Sequence, residues 1–241
     1  MRVLFLIVAR GGSKSIPKKN LLKIHGISLV GFKAISARKC KYCTKLVIST
    51  DSQEIQEDAR QYGVDVLFTR PAILATDTAA TDDVILHAME YIKTQTNERY
   101  DAVMLLEPSS PFATHHDYEK AVEMMLSNNA NVILGMREVS VNSIFQGPMD
   151  NQLRIGSIIR KIMNITGLRR QDVAQEYTMN GALYLMKWDF FEKHRNRYCD
   201  PDNTYGLIMK REYSLEIDEG MDYEYAQFLV ERGHVDISYW K

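Results

Sequence analysis

The sequence predicts an α/β protein with a mostly parallel central sheet and helices on both faces. Three observations carry this. Short, continuous apolar runs rich in branched residues recur along the chain, as strands buried on both faces require. Segments of helical period separate those runs. Polar clusters follow the runs, where an open parallel sheet places its ligand.

The first run, Val3 to Ala9, is a buried strand ended by Gly11-Gly12. A helix follows, with Leu29, Val30, Phe32, Lys33 and Ile35 spaced around its turns. Leu46 to Thr50 is the second strand. Asp51 stands three residues before Glu54, the spacing of a capping box opening a helix over 52–62, and Gly63 is its stop. Asp65 to Phe68 reads as a short third strand. A helix over 82–93 carries Val84, Ile85, Ala88, Met89 and Ile92 on one face. Ala102 to Leu106 is a buried strand stopped by Pro108 and Pro111. Thr114 caps a helix over 115–126, and 131–135 is a strand. Residues 137–179 read as an irregular excursion. Strand character returns at Asn180 to Met186. A short helix over 188–193, a strand over 205–209 and a helix over 222–231 complete the chain, with Gly233 as the last stop. The whole length, 1–241, reads as one domain carrying an arm at 137–179.

The totals exclude several classes. Of 241 residues, 45% are hydrophobic and 25% charged, the make-up of a chain with a substantial core. The 30 basic and 31 acidic side chains leave no general positive field for a nucleic-acid backbone. Three cysteines form no disulfide framework and fit a cytoplasmic protein, and Cys40-x-x-Cys43 lacks partners for a four-cysteine zinc site. No apolar run reaches the ~18 residues of a membrane span, and no leader is expected.

The chemistry concentrates at Arg10-Gly-Gly-Ser-Lys-Ser-Ile-Pro-Lys-Lys-Asn20. Gly11 and Gly12 let the backbone turn its N–H groups toward an anion. Arg10, Lys14 and Lys19 add cations for a triphosphate. The glycine spacing is neither that of a Walker loop nor that of the dinucleotide fingerprint, which disfavours a dehydrogenase.

This string resembles the N-terminal signature of the acylneuraminate cytidylyltransferases. The resemblance continues in order through Ser49-Thr-Asp51, Arg70 to Thr78, Leu105 to Phe112, Asn180 to Tyr184, and Glu216-Ile-Asp218 with Asp222. It implies a Rossmann-like nucleotidyltransferase fold with a dimerisation arm, a homodimer, and Mg²⁺-dependent transfer of CMP from CTP to an acidic 2-keto sugar. By the same resemblance Arg10, Ser13, Lys14 and Lys19 hold phosphates, with Arg10, Lys19 and Asp218 catalytic. Asn20 lies at the ribose or α-phosphate side. Arg70 and Thr81 face the base, although Thr81 also suits a helix cap. Glu107, Ser109, Ser110, Asn180 and Arg170 serve the sugar, with Arg169 competing for the last assignment. Glu216 and Asp218, two apart in an extended stretch, share one face where a metal relieves their repulsion, directly or through water at Glu216.

The chain departs from the family where the sugar is read. Glu107 stands where Gln is common, and Phe112-Ala113 where Leu-Arg is common. The departures point to a variant nonulosonate, such as the deaminated (KDN) or legionaminate type, rather than a fixed choice of N-acetylneuraminate. An eight-carbon 3-deoxy-octulosonate is the alternative substrate, and a non-catalytic nucleotide-binding module the alternative class.

Overall fold

A computed structural model describes residues 1–164 and 173–241. In chain order the strands are β1 (Val3–Val8), β2 (Lys23–Ile24), β3 (Ile27–Ser28), β4 (Cys43–Ser49), β5 (Ala102–Leu106), β6 (Val132–Glu138), β7 (Tyr177–Lys187) and β8 (Thr204–Ile208). The helices are α1 (Leu29–Lys39), α2 (Gln53–Gln61), α3 (Thr81–Gln95), α4 (His115–Asn128), α5 (Gly156–Met163), α6 (Trp188–His194) and α7 (Gly220–Glu231).

Among the described residues the main sheet has six strands in the order β4-β1-β5-β7-β6-β8. All neighbours are parallel except those of β7, which runs against both β5 and β6. The alternation of β1 explains the layering. Val3, Phe5 and Ile7 pack with residues of α1, α2 and α4, while Leu4 and Leu6 face α3 and α6. Each such fully buried side chain contributes about 1.5–3 kcal/mol through the water it sheds. The apolar runs are therefore continuous because both faces of the sheet are covered.

The reversed β7 has a consequence for the site. Its beginning, not its end, lies at the carboxyl end of β5, with Tyr184 opposite Leu105. Asn180 and Gly181 thereby meet the turn that leaves β5, and Ser110 Oγ donates to Asn180 O at 2.8 Å.

Three local expectations are corrected. Ser52, not Asp51, caps α2, its Oγ accepting from Ile55 N–H. The Asp51 carboxylate is engaged elsewhere, accepting from Gly11 N–H at 2.9 Å. Residues 65–68 form no strand beyond one bridge between Asp65 and Val47. The Leu67 carbonyl is taken instead by the Tyr91 hydroxyl, and the chain turns so that Arg70 N–H reaches Thr50 O. Thr81 is the first residue of α3 and does not cap it. Ala80 holds the cap position without a side-chain bond, and Asp82 and Asp83 favour the helix N-terminus electrostatically.

The 137–179 excursion is ordered at its base. β6 runs out to Glu138 and β7 starts at Tyr177, so the two strands extend as an antiparallel ribbon. Beyond it, α5 buries none of its side chains and exposes Ile159 and Met163. Arg169 and Arg170 lie outside the described residues. No helix of the described residues is long and apolar enough to cross a membrane.

Candidate active site

A cleft of about 490 Å³ opens beyond the carboxyl ends of β1 and β5. Arg10, Ser13, Lys14, Lys19, Asn20, Arg70, Thr81, Glu107, Ser109 and Asp218 all line it. Its volume suits a nucleotide-sized ligand. Ten of the residues expected from sequence thus meet in one place, although they span more than 200 positions.

The loop after β1 is organised by its own polar groups. Asn20, nearly buried, donates its amide to Arg10 O at 2.9 Å. Ser13 N–H donates to Gly11 O at 3.1 Å. Gly11 suits the close approach of α2's first turn, since a Cβ there would stand 3.0 Å from Ser52 Cβ and push it aside. The Gly11 and Ser13 amides are thus bonded internally, and Arg10, Lys14 and Lys19 line the cleft as cations. Neither Gly11 nor Gly12 lines the cleft. Both shape the loop, and a Cβ at Gly12 would meet nothing within 4 Å.

Those cations are held by an acid from the loop before α3. Asp77 pairs with Arg10 at 2.7 Å and with Lys14 at 2.5 Å. Hydrogen bonds from Lys14 and then Arg10 hold its carboxyl below the ordinary range. Asp77 stands within the Arg70–Thr78 motif, yet nothing local marks it as the counter-ion of Arg10, 67 positions away, and of Lys14.

Lys19 joins the two walls. Lys18, in the left-handed conformation, sends its side chain outward to Glu54, and the next residue turns in. Lys19 Nζ then donates to Ile217 O at 2.9 Å and to Asp218 Oδ1 at 3.1 Å. The 216–218 segment is fixed from below. Ile217 is fully buried and its N–H donates to Ser109 O at 2.7 Å. Alternation then leaves Glu216 and Asp218 on the opposite side together. Burial and, next, the charge of Asp218 raise the Glu216 carboxyl above its usual value. Asp222 accepts from Asp218 N–H and Glu219 N–H at 2.9 and 2.8 Å, so it braces the segment and the start of α7.

Arg70, expected at the base, is almost fully buried. Its Nε donates to Ser49 Oγ at 3.0 Å and a terminal nitrogen to Ser49 O. Burial lowers the guanidinium to about 10. Two of its five N–H donors are thus bonded internally, and the rest of the group edges the cleft.

Two of the residues expected at the sugar, Ser110 and Asn180, are absent from the cleft lining. Ser110 is fully buried, its hydroxyl donated to Asn180 O. Asn180 is also fully buried and turned away from the cleft. Its Oδ1 accepts from Ala182 N–H at 3.1 Å, and its Nδ2 donates to Ser214 Oγ at 3.1 Å. Both residues are buried in the wall behind the cleft. Gly181, at φ +64°, completes it. A Cβ there would lie 2.8 Å from Ser110 Oγ, 2.9 Å from a Glu216 oxygen and 3.2 Å from a Glu107 oxygen. Glu107 and Glu216 therefore converge on the bare face of Gly181. Burial raises the Glu107 carboxyl, and Arg197 opposes that rise.

A doubly wound sheet with a cationic loop on one side of its cleft and carboxylates on the other has the layout of a nucleotidyltransferase. The chain belongs to the cytidylyltransferase family, whose model matches residues 4–225. It is 33% identical to the post-translational flagellin modification protein B of Campylobacter coli, over 95% of this chain and 94% of that one. It is 29% identical to a CMP-N,N'-diacetyllegionaminic acid synthase of Legionella pneumophila, over 96% and 97%. A solved CMP-2-keto-3-deoxy-manno-octonic acid synthetase complexed with CTP superposes with a TM-score of 0.69, at 16% identity, over 97% of this chain and all of that one. That last likeness is one of fold.

Proposed function

We propose that this protein transfers CMP from CTP to the anomeric hydroxyl of a nine-carbon 2-keto acid sugar and releases pyrophosphate. The observation that carries the reading is the Lys19 bridge from the phosphate loop to Asp218, across a cleft whose far wall is Glu107 to Ser109. The name of the legionaminic acid synthase relative supports the nine-carbon choice.

In this reading the sugar oxygen attacks the α-phosphorus, and the bond from that phosphorus to the β-phosphate oxygen breaks. Pyrophosphate departs with the electron pair, and the hydroxyl proton passes to water. Arg10, Lys14 and Lys19 neutralise the charge gathering on the leaving group, which is where fixed cations lower such a barrier. Asp77 releases Arg10 and Lys14 as the triphosphate arrives. Arg70 and Thr81 bound the base, and Asn20 the ribose side.

Asp218 and Glu216 would hold Mg²⁺. No three His, Cys, Asp or Glu side chains group as a metal cage among the described residues. Two carboxylates on one edge nevertheless fit this ion, which commonly binds one or two carboxylates and completes its shell with substrate phosphates and water. When bound, it supplies charge neutralisation at the phosphates.

We further propose a homodimer formed through the 137–179 arm. Phe145, Met149, Leu153, Ile155, Ile159 and Met163 are exposed there, an apolar surface left uncovered among the described residues. A cytoplasmic location suits the free thiols of Cys40, Cys43 and Cys199.

The test is pyrophosphate release over a panel of nine-carbon 2-keto acids and the eight-carbon acid, with each of the common nucleoside triphosphates. Turnover is expected with CTP and a nine-carbon acid, dependent on Mg²⁺. Inertness toward every nine-carbon acid overturns the proposal, and turnover of the eight-carbon acid alone selects the other sugar class.

A further inference from the structure

One charged group near the site has no part in that chemistry. Lys33 projects from α1 into the core and is fully buried. Its Nζ donates to Ala182 O at 2.8 Å, and no ion pair within 4.0 Å supports it among the described residues. Burying an ammonium this way is strongly unfavourable unless something offsets it. Burial lowers its pKa to about 7, and the attraction of Glu107, then Asp117, then Glu216 opposes that fall. Two of those three carboxylates are the pair converging on Gly181. The bonded carbonyl belongs to the residue that follows Gly181. A methionine of similar length would fill the same space without losing hydration. It would, however, leave the Ala182 carbonyl without this donor, so the ammonium answers to that carbonyl and to the surrounding carboxylates.

Glu107 needs such support. It reaches the cleft, is half-buried, and stands close to Glu216. Arg197 offsets it from the other side, held by Asp82 and lying over the rings of Tyr184 and Tyr198. Arg197 is absent from the cleft lining, as is Lys33. Both cations act from behind the wall.

We infer that Lys33 is a positioning residue for the sugar half of the site: its ammonium fixes the Gly181–Ala182 backbone and offsets Glu107, so that Glu107 stands in the cleft as a carboxylate acceptor for hydroxyl or amide N–H groups of the sugar. The inference rests on the proposed activity and assigns the sugar-reading role to an acceptor-only group. Substrates presenting donors to Glu107 are favoured, and those presenting only an acceptor are rejected.

The test is a double-mutant cycle with Lys33→Met, Glu107→Gln and the pair. Lys33→Met is expected to raise the sugar KM at least ~10-fold while the CTP KM stays within ~2-fold. With Glu107 already replaced, adding Lys33→Met should cost less than ~3-fold more, because the charge it offsets is gone. Losses that multiply, or a CTP KM that rises with the sugar KM, overturn the inference. If Lys33→Met fails to fold, recovery of soluble protein in the Glu107→Gln background supports it, and no recovery overturns it. Melting temperatures of the same four proteins read the coupling with no sugar present. A wild-type protein inert toward every sugar thus sinks the proposed function, while the melts still decide the Lys33–Glu107 coupling.

Discussion

The two halves of the cleft manage charge in opposite ways. On the nucleotide side, Arg10, Lys14 and Asp77 pair at the surface, with side chains a third or more exposed. Such pairs are weak in water and exchange readily for a better anion. On the sugar side, Glu107 and Glu216 converge over Gly181 with Lys33 buried beneath and Arg197 beside them. Charges there are partly shed of water, so each is strongly felt by the others and the arrangement cannot rearrange cheaply. The difference suits the ligands. A triphosphate is the same in every reaction and needs attraction more than discrimination. A sugar is distinguished by where its donors and acceptors lie, which requires groups that stay where they are.

Lys19 belongs to both halves, so its loss is the largest effect expected. Lys19→Ala should lower kcat by ~10²–10³-fold, as removal of one fixed donor to developing charge does elsewhere. Steady-state pyrophosphate release checks this. A change in KM alone would mean that Lys19 only binds, and the distinction between halves would lose its bridge.

Asn180 tests the rigidity of the sugar half. Its replacement by Ala leaves Ala182 N–H and Ser214 Oγ short of partners in a dry setting. The expected cost is about 3 kcal/mol of folding stability, read by denaturant titration. An Asn180→Ala protein of unchanged stability with a much higher sugar KM would restore Asn180 as a ligand-facing residue.

Asp77 tests the exchangeability of the nucleotide half, and the effect is smallest. Asp77→Asn removes the anion that competes for Arg10 and Lys14. CTP affinity should rise ~2- to 5-fold by calorimetry, with the gain shrinking as salt screens the cations. A fall in affinity would show that the acid organises the cations instead of occupying them.

Much of the nucleotide half was legible in the sequence because it is contiguous. Arg10 to Asn20 place cations, glycines and a buried strand within one short stretch, so their joint meaning needs no tertiary knowledge. Glu216 and Asp218 were legible for a similar reason, since the two-residue period of an extended chain puts them together and Ile217 beneath. Lys33 was not. It sits on the same stripe as Val30, Ala34 and Ala37, and a lysine amid those inward positions was the available signal. Asn180 was read as facing the ligand because a polar residue at a strand end does not reveal which way its amide turns.

The sequence by itself determined the alternation of strands and helices, the covered sheet faces and the cationic loop after β1. The alternation, the covered faces and the cationic make-up of that loop follow from local periodicity and from residues adjacent in the chain; binding of phosphate there is part of the proposed function. The tertiary structure decided the reversed direction of β7, which continuous apolar strands do not encode. That reversal brings Gly181 to the carboxyl end of β5, and with it Glu107, Glu216 and Lys33 into one charged group. It also decided that Lys19 reaches Asp218, 199 residues onward. Electrostatic partners are set by distance in space, and only the packed chain fixes that distance.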